Sequence, residues 1–256
     1  MGGVAQLAEH LFCKQKVAGS NPVISTNPHG NQQIPGAIFA HTPEALPACY
    51  NVAVSTTLHN FGNGGGLVPA HRHRNPDGTL GGWVADSAMV QNTVYIGPSA
   101  QVFDHAVVTD HVALHQRAWI AGRATVSDNV KMSNTAGVYG NAKVSGCVQL
   151  YDRAAVFGEA IVSDDVYLAD SASLSDHAEA HHSAVIAGAT QIRDHGQVIE
   201  QASVSGNTLI FGNAVIAGNA VITMGNYYDT QASDFHLDFS PADEINNILA
   251  LDAAIG

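Results

Sequence analysis

Histidine is the residue type in this chain most able to do chemistry, because its imidazole exchanges protons near neutral pH. The sequence holds 14 histidines, and four of them directly follow an aspartate. A carboxylate beside an imidazole can orient it as a general base, so these four are candidate catalytic residues: His105, His111, His177 and His195. Because one dipeptide recurs, the pattern favours a turn preference over four active sites, and the sequence assigns no catalytic residue.

Other histidines are close enough in sequence to suggest a metal site, since imidazole is a common zinc ligand. The candidate ligands are His71, His73, His177, His181 and His182. The first two lie in residues 60–82, a stretch rich in turn residues that reads as an exposed loop. The other three are spread over a predicted face and its corners and need not converge. No metal or other cofactor is therefore predicted.

Aliphatic residues recur every six positions, without a slip, from Val84 to Ile222. The 24 positions of this register hold Leu, Ile or Val except at Met132 and Ala180. A strand repeats every two residues and a helix about every 3.6, so a period of six indicates neither element alone. Self-similarity at a fixed period is the signature of a solenoid.

A second period shows how the hexads are grouped into coils. A small residue follows each aliphatic by four positions, and at every 18th residue it is valine, at Val94, Val112, Val130, Val148 and Val166. Three hexads therefore make one coil, so residues 84–227 predict eight triangular coils. Gly, Asp and Asn fill most corners, and these residue types tolerate tight turns and positive φ. The predicted fold class is an all-β, single-stranded parallel β-helix.

One side of the predicted prism differs from the other two. It contains the inward positions 84, 102 and 120, and we call it the aromatic side after its large outward residues. These are Trp83, Phe103, Trp119, Tyr139, Phe157, Leu209 and Phe211. An apolar surface of this kind predicts a partner, and self-association is the expectation because closed symmetric oligomers dominate. The alternative is that the chain's own terminal segments fold back over it.

The solenoid resembles the hexapeptide-repeat left-handed β-helix family, in its YdcK-like branch. The resemblance rests on the strings VYGNAKVSG, VFGEAIVSD and IFGNAVIAGNAVIT and on GTLGGWVADSA at residues 78–88. It implies left-handed winding, which the spacing itself does not fix; a right-handed, bactofilin-like helix is the structural alternative. Proteins of this family commonly form trimers, and many transfer acyl groups from coenzyme A thioesters with a catalytic histidine at an inter-subunit cleft. The register here never breaks, so it predicts no loop excursion to shape such a cleft.

Composition narrows the classes of partner. The formal net charge is −12, and the 10 Lys and Arg residues are scattered instead of forming the basic stripe of a nucleic-acid binder. No apolar run reaches membrane-spanning length, so no membrane partner is expected. The three cysteines form no framework and the start lacks a signal-peptide core, which together predict a cytoplasmic, disulfide-free protein.

The two ends read differently from the repeat. Residues 3–23 resemble the conceptual translation of a transfer-RNA gene. The resemblance implies that 1–25 are a non-native leader and that the gene has a prophage or mobile-element origin. Residues 26–83 are expected to form an irregular cap on the first coil. Residues 228–256 are expected to be a tail that ends in a short capping helix at 240–254, with Ser240 as its N-cap.

The sequence therefore predicts a non-catalytic β-solenoid, a scaffold or binding module that self-associates as a homotrimer. The alternative function is a hexapeptide-repeat acyltransferase that uses acetyl-coenzyme A. The two hypotheses differ in whether histidines converge in a cleft.

Overall fold

A computed structural model describes residues 57–229, 231–233 and 236–237. Within these ranges the chain forms strands and turns and no helix. From residue 80 onward the strands build a parallel β-solenoid of about eight turns, which confirms the fold class predicted from the repeat. The left-handed winding stays a prediction from the resemblance. The expected leader at 1–25 and the expected helix at 240–254 lie outside the described residues.

Each hexad folds as a two-residue strand followed by a turn. The second residue of the strand is the repeating aliphatic, and it points inward: Val102, Ile120 and Val138 are each 0% exposed. The first residue points outward and is half-buried or exposed at nearly every coil. The turns explain why Gly, Asp and Asn fill most corners. Every sixth residue from Asp104 to Gly218 has a positive φ, which L residues other than Asp and Asn rarely adopt.

Strands that stack on one another define three sides. The aromatic side consists of Leu80–Ala85, Gln101–Val102, Trp119–Ile120, Gly137–Val138, Ala155–Val156, Ser173–Leu174 and Gln191–Ile192. The second side consists of Met89–Val90, Val107–Val108, Thr125–Val126, Lys143–Val144, Ile161–Val162, Glu179–Ala180, Gln197–Val198, Val215–Ala217 and Gln231–Ser233. The third side consists of Tyr95–Ile96, Ala113–Leu114, Lys131–Met132, Gln149–Leu150, Tyr167–Leu168, Val185–Ile186 and His236–Leu237.

Two long strands, Ser203–Phe211 and Val221–Tyr228, continue around a corner and join the aromatic side to the third side. The register slips within this pair: Val204 still pairs with Ile222, but Ile210 pairs with Tyr227, one residue short of the 18-residue spacing. The corner tightens because Gly206 has no side chain, and a Cβ there would collide with the carbonyl oxygen of Thr223. The predicted period therefore ends at the last aliphatic of the register.

The N-terminal segment corrects one prediction. Residues 60–82 were expected to be a loop, yet they contain the strand Leu67–Arg74, which pairs antiparallel with Leu58–Asn60 on one edge and with Leu80–Ala85 on the other. The polar run from His71 to Arg74 hides this strand from a hydrophobicity pattern. The strand is evident only from its backbone pairing and burial: Ala70 and His73, three residues apart, are each 0% exposed, and the register with Leu80–Ala85 shifts between Arg72 and Arg74.

This antiparallel segment closes the open edge of the first coil, which would otherwise present unpaired backbone groups. The side-chain amide of Asn75 pairs with Ile96 as a neighbouring strand would: Oδ1 accepts from the backbone N–H at 2.8 Å and Nδ2 donates to the backbone oxygen at 3.3 Å. The Nε2 atom of His73 lies 2.9 Å from the carbonyl oxygen of Val94. Two polar side chains thus take the place of a missing coil.

The buried imidazole makes this cap sensitive to acid. Burial lowers the pKa of His73 below the ordinary 6.5, and the nearby His71 lowers it further, against a hydrogen bond to Val94 that raises it. The folded state therefore binds the proton less readily than the unfolded chain, so stability is complete above about pH 6.5 and declines as the pH falls below it. We expect the melting temperature to fall from pH 7.5 to 5.5, and to fall less in His73→Gln. Equal falls in both proteins would show that His73 does not couple the cap to pH.

Candidate functional site

The four Asp-His pairs lie at corners, and their aspartates have a structural role. Each carboxylate accepts the backbone N–H of the corner residue one coil further on: Asp104 from Gly122 at 3.1 Å, and Asp194 from Gly212 at 3.2 Å. Asp110 and Asp176 do the same at 3.3 and 3.4 Å. The neighbouring His105, His111, His177 and His195 are all exposed. The recurring dipeptide is thus built into the turns, and its carboxylate binds the next coil.

Two of these histidines lie next to each other on stacked coils. The His177 and His195 rings stack with centroids 5.0 Å apart, and His177 Nε2 lies 3.0 Å from Glu159 Oε2. Both partners of this ion pair are more than half exposed, which limits its strength in water. Among the residues that the structure describes, no group of three or more His, Cys, Asp or Glu side chains is arranged to hold a metal ion.

The remaining metal candidates also have protein partners. His71 Nδ1 lies 2.8 Å from Asp86 Oδ1, and His182 Nδ1 accepts the backbone N–H of Glu200 at 3.3 Å. His73 is part of the cap. The structure therefore places the five candidates at three separate locations: the cap, the second side and its corner, and the corner of the aromatic side.

His181 belongs to a polar cluster on the second side that the sequence did not reveal. Its Nδ1 atom lies 2.7 Å from Ser163 Oγ, and its Nε2 atom lies 3.2 Å from Glu179 Oε2. The Glu179 carboxylate also accepts from Gln197 Nε2 at 3.2 Å. These partners are 18 residues apart, one coil, or 2 residues apart, on the same strand face, so a search of the sequence at those two spacings would have identified them. They lie on a flat side, and Ser163 also bonds the corner Asp164, so the cluster reads as a cross-coil ladder.

The aromatic side carries a continuous stack of rings along its first coils. Phe61, Phe103, Trp119, Tyr139 and Phe157 follow one another with centroid separations of 5.0, 6.0, 5.1 and 4.9 Å and interplanar angles of 24° or less. We call these five residues the ring stack. Because the rings lie face to face along the solenoid axis, it is their edges that point away from the sheet. Burial within the stack raises the pKa of the Tyr139 hydroxyl.

Small residues make the stack possible. Trp119 comes from the other outward column of the aromatic side and fills the gap left by Ala121 between Phe103 and Tyr139. It lies over Gly137, where an added Cβ would approach the indole to 2.6 Å. The alternation of large and small outward residues thus places one ring on each coil.

The N-terminal segment covers the first coils of the aromatic side. His59 stacks on Trp83 with centroids 4.3 Å apart and planes 10° apart, and the guanidinium of Arg72 lies 5.5 Å from the Trp83 ring. Phe61 likewise covers Phe103, which is only 7% exposed. Sequence reasoning missed His59 and Phe61 because nothing in a repeat indicates which residues outside it will pack on its surface.

The C-terminal end of the aromatic side is a separate apolar patch. Phe211 packs against Tyr228 at 5.0 Å, and the guanidinium of Arg193 lies 5.4 Å from the Phe211 ring. Leu209 is half-buried beside them. Between Phe157 and Phe211 the outward column holds Ser175 and Arg193, so the large apolar residues form two patches instead of one unbroken stripe.

A groove opens beside the ring stack at the first coils, with a volume of about 610 Å³. Its floor is formed by ring-stack residues Phe61, Phe103, Trp119 and Tyr139. One rim carries Ser99, Gln101 and Arg117, and the other carries Asn63, Asp104, Gly122 and Gly140. Grooves of this size accommodate small molecules.

Each rim of the groove carries one charged side chain, and only one of the two is already hydrogen-bonded within the described residues. Asp104 accepts from the Gly122 N–H and from Asn63 Nδ2 at 3.4 Å, so its carboxylate already has two donors. The guanidinium of Arg117 is exposed and makes no hydrogen bond or ion pair with the part of the chain that the structure describes. The groove therefore has one cation available to a ligand.

Cys147 differs from the sequence prediction. The three cysteines were expected to remain unpaired, but Cys147 is disulfide-bonded.

No helix in the described ranges is long and apolar enough to cross a membrane.

Comparison of the chain with protein-family models, with curated proteins and with solved structures gives no match in any of the three. The parallel β-solenoid therefore rests on the repeat and on the structure, and the likeness to the hexapeptide-repeat family rests on the sequence strings alone.

Proposed function

We propose that this protein is a non-catalytic β-solenoid scaffold or binding module that works through its aromatic side and self-associates there as a homotrimer. The observation that carries the proposal is the ring stack. Trp119, Tyr139 and Phe157 remain half-buried after the N-terminal segment has covered Trp83 and Phe103. Their exposed edges form an apolar surface on a rigid sheet, which is the composition of an interface core.

The rest of the molecule supports a scaffold. Backbone hydrogen bonds run from coil to coil along all three sides, and the corner side chains add cross-coil bonds. The surface this creates is stiff and regular, which favours recognition with little loss of conformational entropy. The corner aspartates, His181 and Glu179 each form a side-chain hydrogen bond to a residue one coil away.

Removing one ring from the proposed interface tests it. Phe157→Ser should weaken self-association by roughly 2–4 kcal/mol, the range for aromatic residues at the centre of an interface. Phe157 points away from the core, so the circular-dichroism spectrum should stay that of the wild type. Light scattering across a concentration series measures the mass.

The matched control is Val185→Ser, which removes an exposed apolar side chain, 36% exposed, from the third side. It should leave the mass unchanged. A wild-type chain that is monomeric at micromolar concentration would contradict the proposal, as would a Phe157→Ser variant that keeps the wild-type mass.

The acyltransferase alternative makes a different demand. It needs a histidine in a cleft that also binds acetyl-coenzyme A, whereas the histidines that follow the corner aspartates are exposed. A thermal shift with acetyl-coenzyme A, together with an assay for released thiol, separates the two functions. A shift accompanied by thiol release would favour the enzyme.

A further inference from the structure

We propose that the groove beside the ring stack is a binding site for a small flat aromatic carboxylate. The groove is built from one chain, so this inference goes beyond self-association and does not require it. The groove shares Trp119 and Tyr139 with the surface proposed for self-association, so a ligand and a partner chain would compete for these two rings. Three features of the groove carry the inference: its shape, the orientation of its rings and its single available cation.

The orientation of the rings decides which chemistry fits the floor. The faces of Phe61, Phe103, Trp119 and Tyr139 are used up in stacking on one another, at interplanar angles of 24° or less, so the groove is lined by ring edges. An aromatic ring has a negative face and a positive edge, and a T-shaped contact pairs the two. A ligand ring that lies flat across these edges presents its negative face to them. A saturated ligand has no negative ring face to offer, so it would gain only the burial of its apolar surface.

The rim decides the charge of the ligand. Arg117 offers a planar guanidinium that matches a carboxylate in two parallel hydrogen bonds. On the opposite rim, hydrogen bonds from Asn63 and Gly122 hold the two oxygens of Asp104, so the negative charge stays on that rim and the carboxylate of a ligand would point towards Arg117. Ser99 and Gln101 lie on the same rim as Arg117 and can donate further hydrogen bonds to the carboxylate.

The probe is 2-naphthoate, whose two fused rings can span several ring edges. Titration calorimetry of the full-length protein should show saturable binding. The neutral analogue 2-naphthamide keeps the rings without the charge, and acetate keeps the charge without the rings. Each should bind roughly 10- to 100-fold more weakly, as expected when a charge-assisted hydrogen bond or a buried ring is lost.

The decisive variant is Arg117→Gln, with Arg153→Gln as its matched control. Arg153 occupies the same corner position two coils further on, outside the groove, where its guanidinium donates to Ser171 Oγ at 2.9 Å. Arg117→Gln should weaken 2-naphthoate binding roughly 10-fold or more. Arg153→Gln should bind it as the wild type does.

Oligomeric mass separates this inference from the proposed function. Arg117→Gln should keep the wild-type mass in light scattering while it loses the ligand. The inference is overturned if 2-naphthoate does not bind at 10 mM, a concentration chosen for the test, or if Arg117→Gln binds it unchanged. Equal affinity for 2-naphthoate and 2-naphthamide would overturn it as well, and so would a loss of binding that appears only together with a change in mass.

Discussion

Replacement of Ile120 by aspartate should abolish the cooperative unfolding transition of the solenoid, or lower its melting temperature by roughly 10–20 °C. Ile120 is 0% exposed and pairs in register with Val102 on the coil before it and Val138 on the coil after it. The interior that surrounds it is aliphatic on every coil. A carboxylate there costs several kcal/mol, whether it stays charged or takes up a proton without a partner.

The effect should be large because Ile120 has coils on both sides of it. A solenoid is stabilised mainly by contacts between neighbouring coils, so a defect at this position disrupts the contacts with the coil before it and the coil after it. Thermal unfolding followed by circular dichroism measures the change. The control is Thr125→Asp, which introduces the same charge at an exposed outward position of the second side. Its free energy of unfolding should lie within about 0.5 kcal/mol of the wild-type value, as is usual for surface substitutions. A wild-type transition in Ile120→Asp would mean that the register itself is wrong.

The core and corners were predictable because a solenoid couples sequence to structure over short distances. An aliphatic such as Leu150 faces inward because its hexad is the same as its neighbours' hexads, and each coil buries it against the next. A corner residue such as Asp104 adopts φ 59° for the same local reason. Neither property depends on residues far away in the chain, so counting by six and by 18 is enough to find both.

The candidate site could be predicted only in part, because it depends on contacts that the repeat does not encode. The outward rings of the aromatic side follow from the six-residue register, so the sequence alone identifies them. The cover provided by His59 and Phe61 does not follow from it, because these residues precede the repeat and reach the aromatic side through antiparallel pairing. The groove exists only where this cover meets the ring stack, and so neither Arg117 nor Asn63 stood out in the sequence.

The N-terminal edge shows the same limit in energetic terms. A solenoid needs partners for the backbone groups of its first coil, and the sequence does not say which residues supply them. The structure assigns part of this task to Asn75, which is 4% exposed and forms hydrogen bonds with Ile96 and Thr79. Gly81 leaves the room for it, since a Cβ at that position would lie 2.9 Å from Asn75 Oδ1.

Asn75→Ala should therefore destabilise the protein by about 2–4 kcal/mol, because each buried backbone group left without a partner costs about 1–3 kcal/mol. The substitution removes both the acceptor for the Ile96 N–H and the donor to its carbonyl oxygen, and no side chain of alanine replaces them. Denaturant unfolding gives the free energy, and hydrogen exchange locates the loss, since the Ile96 amide should exchange much faster than amides in the middle coils. Asn129→Ala is the matched control at an exposed corner and should leave both measurements unchanged.

If the Ile96 amide stays as protected in Asn75→Ala as in the wild type, the first coil is closed by something other than this side chain. If instead the protection is lost, capping by one buried amide would explain how a polar, loop-like sequence ends a β-solenoid.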